Sequence, residues 1–338
     1  MIFDHTWKLN LQLMAGNLNT NVTTDSGLSV ENKTFYDRTL IETAGPNLVH
    51  DQFAQKRPIP ANGGKTIEFR KYAELPKALT PLTEGVTPDG QKMSVSKIEA
   101  TVSQYGGYVT ISDVLDMTAI DRNVVEATKA IGAQAGKSLD TITRNVLQAG
   151  TNVYYCPKSD GSQPASRALL DKTCTLTVDV VKRIVALMRG KNVPTIGGDY
   201  VCILHPYVAY DLMADPAWIE AQKYQNAQAI YTGEIGKIAG VRFVESTEAK
   251  IYSGEGCPSG LSVFGCLFFG DNAYGVTEVS GGGLKTIIKQ LGSAGTADPL
   301  DQRATVGWKA MKTAERLVEA YLWRVECCSA FSPKVEAN

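Results

Sequence analysis

The 338-residue sequence predicts an α+β fold, and three observations support this class. A two-residue hydrophobic period between residues 63 and 111 predicts a long β-hairpin. At Ser112 the period changes to about three and a half residues, which predicts a long amphipathic helix. The later strands and helices alternate without the regular order of a doubly wound parallel sheet. This irregular order favours an α+β fold over an α/β fold.

The composition predicts a globular protein of about two domains, with 43% hydrophobic and 20% charged residues. A formal net charge of −1 provides no bulk attraction to nucleic acid or to an anionic membrane. No run of about 18 apolar residues is present, and the first residues lack the pattern of a signal peptide. These features predict a soluble intracellular product without membrane contact.

The cysteines and histidines do not form the pattern of a metal or catalytic site. The seven cysteines include no C-x-x-C pair, and an odd, scattered set argues against a disulfide framework or a zinc site. Several of them lie in apolar runs and are interpreted as small core residues. The three histidines, at positions 5, 50 and 205, are far apart in sequence. We therefore expect no metal and no histidine-based catalytic residues.

The first 50 residues are polar and rich in Asn and Thr, without a sustained hydrophobic period. Such a segment has too little apolar content to fold alone. It is either a disordered tail or an extended arm that becomes ordered against another subunit. A short helical pattern between residues 34 and 54 is interrupted at Gly45 and Pro46.

The hairpin segment has one weakly apolar face and one charged face. Each limb of about 18 residues would extend about 60 Å, whereas a compact chain of this length has a radius of gyration of about 20 Å. An isolated two-stranded ribbon is only marginally stable in water. The hairpin therefore requires a partner surface, in its own domain or in another chain, and its length favours a neighbouring chain. The apolar face contains Ile67, Phe69, Ile98, Ala100 and Val102, and the charged face contains Glu68, Arg70, Lys97, Glu99 and Thr101.

The helix that follows has apolar residues at spacings of three or four from Val114 to Val146. Ser112 or Asp113 suits the N-cap, and Gly150 suits the end of the helix. At 1.5 Å per residue such a helix is about 50 Å long, which suits a structural strut.

The second half of the chain predicts one further amphipathic helix, a buried strand and one or two short helices. These are residues 177–189, 200–204 and 206–222, respectively. Several strands then follow, separated by glycine-rich loops. The predicted strands are residues 241–244, 261–269 and 284–288, with two long strands between 305 and 330.

Two glycine-rich segments partly match phosphate-binding motifs. Residues 132–138 have three residues between the glycines, where a phosphate-binding loop has four, and they lie inside the helical pattern. A helix interior is therefore favoured, and a nucleotide-binding enzyme using Lys137 is the alternative. Residues 254–260 have the wrong spacing for a dinucleotide loop, so a surface turn is favoured. We predict no enzyme and no bound cofactor.

Basic residues on the hairpin are balanced by acidic residues, and this mixture favours protein contacts over a nucleic-acid surface.

Six motifs, in this order, resemble the major capsid proteins of tailed bacteriophages, and the N-four-like podovirus branch is the most similar. The resemblance covers roughly residues 34–330 and implies a Hong Kong 97-type capsid fold. The motifs are Pro46–Ala54, Gly64–Phe69, Pro81–Pro88, Tyr105–Asp113, Leu139–Arg144 and Gly233–Phe243.

The resemblance implies a division of the chain into an arm, an extended loop and two domains. Residues 1–55 are expected to form the N-terminal arm and 56–111 the extended loop. Residues 112–194 and 296–338 are expected to form the peripheral domain, with a spine helix at 113–149. Residues 195–295 are expected to form the axial domain.

The resemblance also implies a structural role in the virion capsid. The chain is expected to self-assemble into pentamers and hexamers of an icosahedral head that encloses double-stranded DNA. Assembly is expected in the cytoplasm of the host bacterium, with separate scaffolding, portal and decoration proteins. Packaged DNA is expected to contact the inner surface non-specifically. The alternatives are an encapsulin-like compartment for protein cargo and a ring-forming tail or head-completion protein.

The extended loop is the expected contact site between subunits. Gly106 and Gly107 are the candidate hinge of the hairpin, with a simple β-bulge as the alternative. The expected contact residues are Phe69, Arg70, Lys77, Leu82, Glu84, Pro88, Lys92 and Lys97.

Overall fold

The computed structural model describes residues 48–60, 64–72, 75–87, 89–118, 123–225, 235–278, 282–293 and 298–338. Most of the predicted N-terminal arm, residues 1–47, lies outside this part of the chain.

Five α-helices occur in the described part of the chain. α1 and α2 lie within the predicted long helix, and residues 119–122 between them lie outside the described residues. The hydroxyl of Ser112 accepts a hydrogen bond from the backbone N–H of Leu115 at 3.3 Å, which fits its predicted N-cap role. None of these helices has the length and hydrophobicity of a membrane span. The helices are α1 (Asp113–Thr118), α2 (Asn123–Gln148), α3 (Val178–Gly190), α4 (Pro206–Met213) and α5 (Pro216–Gln225).

The strands of the described residues form two large sheets and one hairpin. In chain order they are β1 (Gln55–Lys56), β2 (Thr66–Tyr72), β3 (Val95–Thr101), β4 (Ser103–Ser112), β5 (Val153–Tyr155), β6 (Tyr200–Leu204), β7 (Lys237–Ile238), β8 (Val241–Glu245), β9 (Ile251–Tyr252), β10 (Val263–Phe269), β11 (Tyr274–Glu278), β12 (Lys285–Lys289), β13 (Arg303–Arg316) and β14 (Leu322–Cys327).

The first sheet is built around β13, which has 14 residues. On one edge β13 pairs with β12 and β11, and on the other edge it pairs with β4 over ten residues. β1 adds to β11 in parallel. The helix α2 packs across one face of this sheet, because its apolar stripe meets alternate residues of β13. This core contains Ile131, Ala135, Leu139, Val306, Trp308 and Ala310.

The second sheet has the strand order β5, β14, β10, β6, β8 and β7, and β9 pairs with β10. All residues of β6 and β10 are buried, as the apolar run at residues 200–204 predicts. The apolar stripe of α3 packs into the same core. Six of the seven cysteines are buried and all are free thiols, which confirms their interpretation as small core residues.

Both sheets combine strands from distant parts of the chain. β11 and β12, from the predicted axial domain, pair with β13 in the first sheet. β14, from the predicted peripheral domain, pairs with β10 in the second sheet. Each large sheet therefore contains strands from both expected domains. The division into peripheral and axial domains stays a prediction.

Candidate functional site: an exposed hairpin and its anchor

The paired part of the hairpin is shorter than the sequence predicts. β2 and β3 pair antiparallel over seven residues each, from Thr66 opposite Thr101 to Tyr72 opposite Val95. The chain then leaves the hairpin at Val102, which is buried, and continues as β4 in the first sheet. The expected limb of about 18 residues is therefore wrong for the return strand. The two-residue hydrophobic period continues from β3 into β4 because both are strands. It therefore does not reveal that β3 pairs with β2 whereas β4 pairs with β13.

The two faces of the hairpin are confirmed. Ile67 lies opposite Ala100, and Phe69 lies opposite Ile98, so these side chains share one face. The other face presents two exposed ion pairs, between Arg70 and Glu68 at 2.9 Å and between Lys97 and Glu99 at 2.6 Å. The hydrogen bond between Lys97 and Glu99 raises the pKa of Lys97 and lowers the pKa of Glu99. Such exposed pairs add little to stability in the free chain.

Phe69 requires a correction, because it anchors the hairpin to its own chain. Its side chain is 5% exposed, which leaves almost no surface for a neighbour. A Cβ atom placed on Gly275 of β11 would lie 3.0 Å from Cζ of Phe69 and 3.4 Å from Cδ1 of Leu317. The ring therefore packs directly on the backbone of the first sheet at the base of the hairpin.

Beyond the paired strands, residues 75–94 form an exposed loop, in which Pro88 lies outside the described residues. Leu79 is 81% exposed and Leu82 is 77% exposed. Leu75, Val86 and Met93 are exposed as well. Exposed apolar groups concentrated in one projecting element mark an interaction surface. The remaining predicted contact residues that the structure describes are exposed on the loop or on the hairpin: Arg70, Lys77, Leu82, Glu84, Lys92 and Lys97.

Gly106 and Gly107 lie inside β4, where they allow close packing. A Cβ atom on Gly106 would lie 2.6 Å from the carbonyl oxygen of Trp308 in β13. A Cβ atom on Gly107 would lie 2.9 Å from Oε1 of Gln134, which accepts a hydrogen bond from the indole N–H of Trp308 at 3.2 Å. The close packing at these two positions therefore explains why both residues are glycines. Their role as a hinge stays a prediction.

A buried polar cluster connects the segment before β1 to α2 and β13, and the sequence analysis does not predict it. Nδ1 of His50 lies 2.7 Å from Oδ2 of Asp140, and both side chains are fully buried. The ammonium group of Lys312 forms an ion pair with Asp51 and donates to the carbonyl of Leu139 at 3.0 Å. These contacts tie residues 48–54 to the body of the protein.

Tyr274 completes this cluster from β11. Its hydroxyl donates a hydrogen bond to the backbone carbonyl of His50. Burial, and then the nearby carboxylates of Asp51 and Asp140, raises the pKa of Tyr274 well above its ordinary value. The hydroxyl is therefore kept protonated as a donor.

The two phosphate-like motifs do not form binding loops. Residues 132–138 lie within α2, where the backbone N–H groups belong to the helix, and Lys137 lies 3.5 Å from a carboxylate oxygen of Glu248. Residues 254–260 lie in turns between β9 and β10. Across the described ranges, no group of three or more His, Cys, Asp or Glu side chains is arranged to hold a metal ion.

The described structure therefore combines two large sheets with an exposed hairpin loop. The sequence model of the phage capsid protein family matches residues 95–317, about two thirds of the chain, and the chain belongs to that family. No curated protein matches the sequence.

Solved capsid structures show the same fold. The capsid of Ralstonia phage GP4 is 15% identical with a TM-score of 0.63, over 85% of this chain and 90% of that chain. The acid-stable capsid of Helicobacter pylori bacteriophage KHP30 is 12% identical with a TM-score of 0.61, over 82% and 89%. A virus-like particle from Pyrococcus furiosus is 8% identical with a TM-score of 0.50, over 87% and 99%.

The fold and family confirm the predicted class. The chain has the α+β, Hong Kong 97-like fold and is a bacteriophage major capsid protein of the virion, without enzymatic activity. Such a protein associates with copies of itself. The alternative of a nucleotide-binding enzyme using Lys137 is wrong.

Proposed function

We propose that this chain assembles into pentamers and hexamers of an icosahedral head that encloses double-stranded DNA. The main support for this proposal is the exposed loop at residues 75–94, because its apolar side chains are exposed to solvent in the single chain. Burying apolar surface contributes about 25 cal/mol per Å². In a closed shell every copy both gives and receives this contact, so the lattice stabilises the protomers.

The contact residues of the proposed interface are the exposed residues of the hairpin and loop. Leu82 supplies apolar surface, and Arg70, Lys77, Glu84, Lys92 and Lys97 supply polar and charged groups at the rim. Pro88, outside the described residues, belongs to the same proposed loop tip. Phe69 supports this interface from behind by fixing the base of the hairpin.

The proposal includes the remaining parts of the expected assembly. The peripheral and axial domains would form the shell, and the hairpin would change its angle at Gly106 and Gly107 during expansion. Scaffolding, portal and decoration proteins would be separate partners, and packaged DNA would contact the inner surface non-specifically. Assembly would take place in the cytoplasm of the host bacterium.

Deletion of residues 75–95 tests the role of the hairpin. We expect the variant to lose closed particles in negative-stain microscopy while it keeps the helical circular dichroism of the unassembled chain. A matched control shortens the exposed turn at residues 254–260, and it should still form particles. Particles of normal diameter from the hairpin deletion would show that the loop does not hold the shell together.

A second candidate is an encapsulin-like shell that encloses protein cargo instead of DNA. The structural similarity to the virus-like particle from Pyrococcus furiosus is the observation that favours this second candidate. Purified particles distinguish the two candidates, because a phage head yields encapsidated double-stranded DNA that resists nuclease until the shell is opened. The ring-forming alternative would give open rings instead of closed particles in the same micrographs.

A further inference from the structure

Four cysteines that are far apart in sequence form a row across the second sheet. The strands β5, β14, β10 and β6 are neighbours in this order, and each contributes one cysteine, the one of β5 directly after its last residue. All four side chains lie in one buried core, on the side of the sheet that α3 covers. We call these residues the thiol row: Cys156, Cys327, Cys266 and Cys202.

Cys327 has a thiol neighbour on each side. Its Sγ atom lies 3.9 Å from Sγ of Cys266 in β10. On the other side, Tyr155 of β5 lies opposite Glu326 of β14. Cys156 therefore lies beside Cys327, and its backbone N–H donates to the carbonyl of Glu326 at 3.0 Å. Neighbouring strands are about 4.8 Å apart, which is within the range of Cα separations that a disulfide spans.

Packing alone does not require sulfur at these positions. Seven of the 338 residues are cysteines, yet four adjacent strands each place one of them on the same face. Other small apolar residues would fill a similar volume without a reactive group. Thiols in contact bring a chemistry that such residues lack, which is the formation of a disulfide.

The thiol row is protected from rapid reaction. All four side chains are 0% exposed. Contact with Cys156, and then burial, raises the pKa of Cys327 well above its ordinary value. Because the thiolate is the reactive form, such a thiol reacts slowly. Disulfides are rare in a reducing cytoplasm and persist at virion surfaces, so a slow reaction suits a virion protein.

We propose that Cys327 forms a disulfide with one of its two neighbours, Cys156 or Cys266, after the protein has left the reducing cytoplasm. The bond ties β14, the last strand of the chain's second sheet, to β5 or to β10. This inference depends on the fold of the second sheet and not on the proposed assembly.

Hydrogen peroxide is a sufficient oxidant for this step. It transfers one oxygen atom to the sulfur of Cys327, which becomes a sulfenic acid, and one water is released. The sulfur of the neighbouring thiol then attacks the sulfenic sulfur and forms the S–S bond. The hydroxyl group leaves with the proton of the attacking thiol as a second water. Two thiols thus lose two electrons in total, and the peroxide gains them.

Counting thiols in the purified full-length chain tests the proposal. Every sample carries Cys257→Ala, which removes the partly exposed cysteine, so six thiols remain. The folded chain is incubated with hydrogen peroxide for up to a day, denatured and alkylated with iodoacetamide. We expect mass spectrometry to show four alkylated cysteines, and six when a reductant precedes alkylation. A disulfide-linked peptide should join Cys327 to Cys156 or to Cys266.

Two further variants locate the bond. Cys327→Ala should keep all its remaining thiols after oxidation, because β14 separates Cys156 from Cys266. Cys174→Ala is the matched control, since it removes a buried cysteine outside the thiol row, next to Cys328. This control should still lose two thiols on oxidation. Far-ultraviolet circular dichroism checks that each variant is folded.

Thermal unfolding supplies a second measurement. Cys266 and Cys327 are 61 positions apart, and a disulfide that closes a long loop restricts the unfolded chain. We expect the Tm of the oxidised chain to rise by about 5 °C, and a reductant should reverse this rise.

Three results would overturn the inference. The first is six alkylated cysteines after prolonged oxidation of the folded chain, or thiols lost only as sulfinic acid without a linked peptide. The second is a link between Cys174 and Cys328 instead of one at Cys327. The third is the same set of links from the folded chain and from the chain unfolded in urea, which would show that the fold does not direct the pairing. The deletion of residues 75–95 tests assembly separately, so the proposed function stands or fails independently of these results.

Discussion

Replacing Phe69 by Ala should release the hairpin from the body while the rest of the fold stays intact. The ring of Phe69 is 5% exposed and packs on Gly275 and Leu317. In the pairing of β2 with β3, the ring is the largest buried side chain. A two-stranded ribbon without such packing is only marginally stable.

The size of the effect follows from the loss of a buried aromatic side chain. Phe→Ala substitutions at buried sites cost about 3 to 5 kcal/mol. Because this ring connects the hairpin to the first sheet, the cost falls on local opening of the hairpin rather than on the core of the second sheet. A change of about 3 kcal/mol corresponds to roughly a 100-fold increase in the open population.

Amide hydrogen exchange of the unassembled chain measures this opening. We expect protection in β2 and β3 to fall by about 100-fold or more, with protection in β10 unchanged. Tyr72→Ala is the matched control, since it removes a ring on the same strand that is 60% exposed, and it should have little effect. Unchanged protection of β2 and β3 in the Phe69→Ala variant would refute the role of this ring as the anchor.

Three further predictions concern buried and surface charges. Lys312→Met leaves Asp51 without its cationic partner, with only the hydroxyl of Thr143 still donating to it, so the free energy of unfolding in urea should fall by about 3 to 5 kcal/mol, and adding Asp51→Asn should recover part of it. Burial lowers the pKa of His205, whose neutral ring accepts a hydrogen bond from the N–H of Tyr207. Stability should therefore be complete above about pH 6.5 and fall as the pH drops through the lowered pKa, and His205→Asn should flatten this dependence. Lys137→Met should change stability by less than about 1 kcal/mol and leave particle yield unchanged; particle loss specific to this variant would contradict its assignment to an ordinary surface pair.

The sequence predicts the elements whose signal is local. The apolar stripe of α2 and the buried run of β6 are recognised because three- or four-residue spacing and a continuous apolar run are properties of neighbouring residues. The two faces of the hairpin are recognised for the same reason. The short strands β5 and β9 have too few residues for a period to emerge, and they are missed, as is β11.

Long-range pairing is what the sequence does not show. The change of partner at Val102 depends on β13, which lies roughly 200 residues away. The burial of Phe69 depends on a glycine in β11, and the pair of His50 with Asp140 joins residues 90 positions apart. Strand alternation places Lys285 and Lys289 on one side of β12, but only the strand register places them on the same face of the first sheet as Tyr108.

The central position of β13 has a consequence for the order of events during synthesis. β4 ends at Ser112, and its partner strand begins at Arg303, so the ribosome adds roughly 190 residues between them. At about 5 to 20 residues per second this delay lasts on the order of 10 to 40 s. Until β13 is made, β4 lacks the strand with which it pairs, and the first sheet cannot form. Nascent chains on one message therefore cannot associate through the first sheet until translation has passed β13.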